Sequence, residues 1–163
     1  MTFVTLYDAS QAGYNWMPAM VGLFLVGGGV LAVCRPALFE KQLSNGRTTR
    51  PSKPFAWLSL LCAIAISILI NAVTWSQYQK AVSRLRSGDF RVVQGKVENF
   101  VPEPWSGHAM ESFSVAGKSF SYGQYVDTPG FHNSTSHGGP IKEGLYVRIS
   151  YRDNVILKLE RAQ

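Results

Sequence analysis

The sequence predicts a membrane α-hairpin of two transmembrane helices, followed by a small all-β domain ordered like an OB-like five-stranded barrel. Two stretches, residues 17–34 and 54–75, contain no charged side chain. Each approaches the ~20 apolar residues that a helix needs to cross ~30 Å of hydrocarbon. Beyond residue 89 the apolar period changes from helical to two, in short runs separated by turn residues.

Residues 1–16 read as an N-terminal tail that carries Asp8 but no Lys or Arg, unlike the basic opening of a cleaved signal peptide. Tyr14, Trp16 and Trp75 suit the aromatic positions at a membrane–water interface. Between the spans, residues 35–53 form a basic loop: Arg35, Lys41, Arg47, Arg50 and Lys53 stand against Glu40, a net of +4. Under the positive-inside rule this places the loop in the cytoplasm and the C-terminal domain on the periplasmic side. Lys80, Arg84, Arg86 and Arg91 follow the second span and pull the other way, so the counts nearly balance.

Within the bilayer, Ser59, Ala63, Ser67 and Asn71 recur every four residues and draw a small, polar stripe down the second helix. The first helix offers Gly22, Gly27, Gly28, Gly29 and Ala32. Small residues permit close backbone approach, so these positions are the expected helix-packing contacts. Cys34 and Cys62 fall at different depths, which supports neither a disulfide nor a zinc site.

Residues 76–88 continue as a juxtamembrane helix, with Tyr78, Val82 and Leu85 on one face and Gly88 as its stop. The domain at 89–160 follows. A first strand, 90–100, is expected to bend at Gly95. Strands 111–116 and 118–126 meet at Ala116-Gly117, and strands beginning at Leu145 and Val155 meet at Asp153-Asn154. A bent strand, a hairpin, a crossing segment and a final hairpin is the order of an OB-type barrel, and closure would remove the exposed strand edges.

The run GDFRVVQGKVENFVPEPWSGHAMESFSV, then FSYGQYVDTPGFHNSTSHGGPIKEGLYVRISY and the ending ILKLE resemble a group of bacterial two-span inner-membrane proteins with a C-terminal small β-domain. The resemblance covers residues 88–160 and the general layout of the spans. It implies a bacterial inner-membrane setting and no particular activity.

Several chemistries are excluded by their missing parts. Gly117-Lys118-Ser119 lacks the glycine a phosphate-binding loop needs five residues earlier, where Ser112 stands, and it joins two strands. His137-Gly138-Gly139 lacks the nucleophile elbow of an esterase. Ser136 and His137 form no dyad if the chain is extended, because neighbours then point apart. No paired carboxylates stand at a spacing suited to acid–base catalysis, so no catalytic residue and no cofactor is expected. His108, Glu111, His132 and His137 are the residues chemically suited to a metal, although their spacing is weak.

The segment 127–141, DTPGFHNSTSHGGPI, is longer than an ordinary connection, and such segments are usually functional or disordered. The functional expectation is therefore a membrane-anchored interaction module. It would bind a protein or small ligand through Trp105, His108, Phe131, His132, Asn133, His137 and Gly138, with a second copy of the chain among the possible partners. One alternative is a metal-binding sensor or enzyme. Another is a cytoplasmic OB-type nucleic-acid binder using Lys96, Arg148 and Arg152 beside tyrosines. The net charge of +3 beyond residue 76, eleven basic against eight acidic, disfavours nucleic acid.

Overall fold

The computed structural model describes residues 1–42, 45, 47–104, 109–123 and 129–163. Its strands are β1 (Phe3–Asp8), β2 (Lys41–Gln42), β3 (Thr48–Thr49), β4 (Arg91–Val101), β5 (Glu111–Val115), β6 (Lys118–Tyr122), β7 (Tyr146–Arg152) and β8 (Val155–Ala162). Its long helices are α1 (Met17–Cys34) and α2 (Lys53–Ser87). The chain divides into two compact units: Asn15–Trp75, and Met1–Tyr14 together with Ser76–Gln163.

In the helical unit, α1 starts where the Asn15 side chain accepts the Met17 N–H at 3.0 Å and Pro18 occupies the first turn, where its missing donor costs no helical bond. Only 6% of α1, and 11% of the most apolar stretch of α2, is buried. Phe24, Leu23, Leu58 and Ile68 all stand outward. A helix of soluble core would bury such residues; these two are long and apolar enough to cross a membrane. The helices touch through glycine. A Cβ on Gly22 would lie 3.0 Å from the Ser67 Cβ, and one on Gly29 would lie 3.1 Å from the Leu60 Cα. The Ser67 hydroxyl sits 3.2 Å from the Gly22 carbonyl and 2.6 Å from that of Ala63, and the Asn71 amide donates to the Ser67 carbonyl at 2.8 Å. Between the helices, β2 and β3 pair as a short antiparallel ribbon, tied by Arg50 to Glu40 at 3.1 Å.

The second unit holds one antiparallel sheet in the order β1-β8-β7-β4-β5-β6. Alternation sets its faces: Phe113 and Val115 of β5, Phe120 and Tyr122 of β6, and Val147 and Ile149 of β7 all enter the core with Ile156 and Leu159 of β8. The hairpin turns use Ala116 (φ 47°) with Gly117 (φ 77°), and Asp153 (φ 50°) with Asn154 (φ 64°). Two successive left-handed residues are what a tight hairpin requires to match strand twist. The last turns of α2 belong to this unit. Ala81 and Val82 are buried there, and Arg84 reaches Asp153 at 2.9 Å.

The OB-like five-stranded barrel expected from the sequence is not formed. Strand β4 is shared: Arg91 to Lys96 pair with β7 in unbroken register through Gly95, whereas Val97, Glu98 and Val101 pair with β5 across a register shift between Glu98 and Val101. The sheet curves there without closing, and β1 and β6 remain its two ends. The reason lies at the N-terminus. Residues read from sequence as tail form β1, which pairs Phe3 with Ala162 and Asp8 with Lys158, so the free edge of β8 is already taken. Arg148 reinforces that edge by lying 4.2 Å from the Phe3 ring centroid while donating to Glu160 at 2.8 Å.

Leu159→Ala removes a fully buried side chain from β8 and should cost about 2–5 kcal/mol. Val92→Ala, on an exposed face of β4, should stay within about 0.5 kcal/mol. Unfolding of the detergent-solubilised protein compares the two, and equal losses would contradict this register. The Glu160 carboxyl is held below its ordinary range by the Arg148 hydrogen bond first and by Lys158, against the opposing effect of burial. Its stabilisation is therefore full above the unfolded value of ~4.3 and is lost as pH falls through the lower folded value. Glu160→Gln should flatten that acid limb of the stability profile.

Candidate functional site

The polar side chains of the sheet unit converge where β5, β6 and the segment 129–141 meet. Glu111 opens β5 with the same parity as Phe113 and Val115, so the alternation that builds the core also carries a carboxylate into it. That carboxylate is fully buried. Tyr122 stands opposite it in register on β6, and its hydroxyl donates to Glu111 Oε1. Burial, and then the hydrogen bond and charge of Glu111, push the Tyr122 phenol far above its ordinary range, so it stays a donor. The Thr135 N–H donates to Glu111 Oε2 at 2.9 Å, and the Glu103 N–H approaches the same oxygen at 3.5 Å.

Thr135 begins a single 3-10 turn, Thr135–His137, closed by Gly138 at φ 82°. The turn corrects one expectation. Ser136 and His137 do meet, with Ser136 Oγ 2.9 Å from His137 Nδ1, because the chain is coiled here and not extended. Ser134, fully buried, sits 3.0 Å from Ser136 Oγ and 3.3 Å from the same ring nitrogen. The Ser136 hydroxyl donates to Glu103 Oε2 at 3.0 Å, and Glu103 is buried as well.

The Ser136 hydroxyl that donates to Glu103 Oε2 also lies beside His137 Nδ1, so carboxylate and imidazole share one hydroxyl. A serine nucleophile needs an imidazole accepting from Oγ and paired N–H groups facing the developing oxyanion. Here the Gly138 and Gly139 N–H groups turn inward, to Thr135 O at 3.1 Å and Ser134 O at 2.8 Å. The buried part of the cluster, around Glu111, cross-links two strands and one turn.

The residues expected to form a recognition loop are placed differently. Phe131 is buried in the core beside Tyr7 and Tyr122, and Ile141 is buried too. The Phe131 N–H bonds to Ile156 O at 2.9 Å, and the Tyr7 hydroxyl, its phenol pushed up to about 12 chiefly by burial, reaches Pro129 O at 3.3 Å. His132, Asn133, His137 and Gly138 are exposed, with His132 Nδ1 2.9 Å from Gly130 O. Trp105 and His108 lie outside the described residues, as does the loop's start at 127 and 128. Segment 129–141 is thus a crossover packed onto the sheet, and with no closed barrel the expected interaction module has no scaffold.

The metal reading is also overturned. Among the described residues no three His, Cys, Asp or Glu side chains gather to hold an ion. Both oxygens of Glu111 are occupied by Tyr122 and Thr135. The nucleic-acid reading loses its surface, because Arg148 pairs with Glu160 and Arg152 with Asp89 at 2.8 Å each, and no OB barrel presents them. Sequence reasoning missed Glu103, Tyr122 and Ser134. For Tyr122 a signal existed, since it shares parity with Phe120 just as Glu111 shares it with Phe113. Compared with protein-family models, curated proteins and solved structures, the chain matches none.

Tyr122→Phe removes one donor from a buried carboxylate and should cost about 1–3 kcal/mol. Glu111→Ala should cost more, because it strands both the Tyr122 hydroxyl and the Thr135 N–H. The double variant should lose less than the sum, which a thermal-unfolding double-mutant cycle measures. Gly139→Ala should cost about 1–3 kcal/mol, since a Cβ there would overlap the Asn133 carbonyl and the Ser134 backbone.

Proposed function

We infer that this chain is a two-span protein of a bacterial inner membrane, in which the helical hairpin anchors the six-stranded domain and the chain performs no catalysis of its own. The observation that carries this reading is the outward exposure of large apolar side chains along α1 and the first two-thirds of α2, neither of which carries a charge over 17–34 or 54–75. Water would not tolerate that surface, and hydrocarbon would. Helix α2 has 35 residues, about 50 Å of rise, which exceeds the ~30 Å of hydrocarbon and lets its charged end emerge.

Orientation follows from where Lys and Arg lie: five in the 35–53 loop against Lys80, Arg84, Arg86 and Arg91 after the second span. The loop keeps Arg35, Lys41, Arg47 and Lys53 exposed, because its single acid, Glu40, is taken by Arg50. That hydrogen bond is the main cause holding the Glu40 carboxyl below its ordinary range. The loop is accordingly cytoplasmic and the sheet domain periplasmic. The sheet domain supports a holding role more than a chemical one, since both oxygens of its buried Glu111 are taken by Tyr122 and Thr135.

Two reporters fused to the C-terminus test this reading, one active only outside the cytoplasm and one only inside. Activity of the outside reporter alone is expected, with the chain staying in the pellet on alkaline carbonate extraction. Activity of the inside reporter alone would reverse the topology, and release by carbonate would remove the membrane reading.

A further inference from the structure

Helices α1 and α2 touch at Gly22 and Gly29, yet an apolar groove of about 430 Å³ opens beside those contacts. Gly28 and Ala32 of α1 and Ser59 and Ala63 of α2 line it, and Phe39 and Phe55 flank the end nearest the basic loop. A Cβ added to Gly28 would meet nothing within 4 Å, so that direction from this glycine is open space. These four positions border the groove, which runs alongside the close Gly29–Leu60 contact.

The reach of the groove identifies its occupant. Its deepest lining residues, Leu25 and Ala63, lie nine residues before Cys34 and ten after Lys53. At 1.5 Å per residue that is about 14–15 Å from the loop end, half of the ~30 Å hydrocarbon thickness. Deeper in, the Gly22–Ser67 contact shuts the helices together. A transmembrane helix of a second copy would find complementarity along only half its length. One acyl chain of one leaflet fits the full depth. At the open end stand Arg35, Lys41, Arg47 and Lys53, exposed and without an acidic partner in the loop.

On these grounds, and resting on the membrane reading above, we propose that the groove is an anionic-phospholipid site. An acyl chain fills the gap between α1 and α2, and the headgroup phosphate meets the basic loop. Clusters of basic residues at the cytoplasmic end of membrane helices attract anionic headgroups. The apolar gap adds a fixed seat for the chain, which a charged surface alone lacks.

Native mass spectrometry of the full chain in detergent, titrated with phosphatidylglycerol or phosphatidylcholine, tests the proposal. One phosphatidylglycerol should bind at least about tenfold more tightly than phosphatidylcholine. Arg35→Gln and Lys53→Gln should each weaken phosphatidylglycerol about fivefold and leave phosphatidylcholine unchanged. Gly28→Leu, which fills the groove from a position with free space, should abolish the retained lipid. Equal affinity for the two lipids, or retention unchanged in Gly28→Leu, would overturn it. So would a two-chain mass that Gly28→Leu converts to one chain, which would assign the groove to a second copy. Carbonate extraction of the wild type and of Gly28→Leu reads the membrane reading separately: retention with no lipid preference refutes the lipid site alone.

Discussion

A carboxylate buried at a core position organises the sheet unit. Desolvating the Glu111 charge is costly unless donors surround it, and no lysine or arginine reaches it among the described contacts. The donors are therefore drawn from three directions: the Tyr122 hydroxyl across the strand pair, the Thr135 N–H from the crossover turn, and the Glu103 N–H from the chain after β4. Each donor fixes its own segment, so a single side chain pins β6, the 3-10 turn and the 103 region to β5. The serines and His137 complete the shell, and the turn that carries them has little freedom left to serve as a recognition loop. Satisfied polar networks of this kind rigidify and specify a packing arrangement, whereas a half-satisfied one would weaken it.

Much of the secondary structure was legible because it rests on local rules. Uncharged runs marked α1 and the first part of α2, alternation marked β5 to β7, and the left-handed turn residues at 116–117 and 153–154 marked both hairpins. Strand β8, by contrast, breaks the expected alternation of Val155, Leu157 and Leu159 by burying Ile156, Leu157, Leu159 and Glu160. What escaped depends on contacts distant in sequence. The segment Phe3–Asp8 is six residues long, and its partner β8 lies some 150 residues away, so nothing nearby announces it as a strand. Missing β1 made closure of the remaining five strands look necessary, because only closure would then have protected the edge of β8. The site failed to show for a related reason. Ser136 and His137 meet only if the chain coils, and coiling is set by Glu111, 24 residues earlier, accepting the Thr135 N–H. Phe131 read as an exposed aromatic among polar neighbours, yet the sheet supplies Tyr7 and Tyr122 rings to cover it.

The hairpin shows why small residues cannot be assigned one role from spacing. Gly22 and Gly29 are seven apart, two helical turns, and both meet α2 closely. Gly28 is one residue away from Gly29, turned by about 100° around the axis, and meets nothing. On α2 the stripe of four divides in the same manner: Ser67 and Asn71 lie at the closed contact, while Ser59 and Ala63 line the gap. Both glycines border the groove, but only Gly29 also meets α2 closely. The groove flanks the Gly29–Leu60 contact and ends short of the Gly22–Ser67 contact, so apolar space and exposed positive charge coincide at the loop end of the hairpin. Charge that only set topology could sit anywhere along residues 35–53, but Arg35 and Lys53 sit at the two helix ends that bound the groove, where a headgroup would be held and where moving them would change binding without changing insertion.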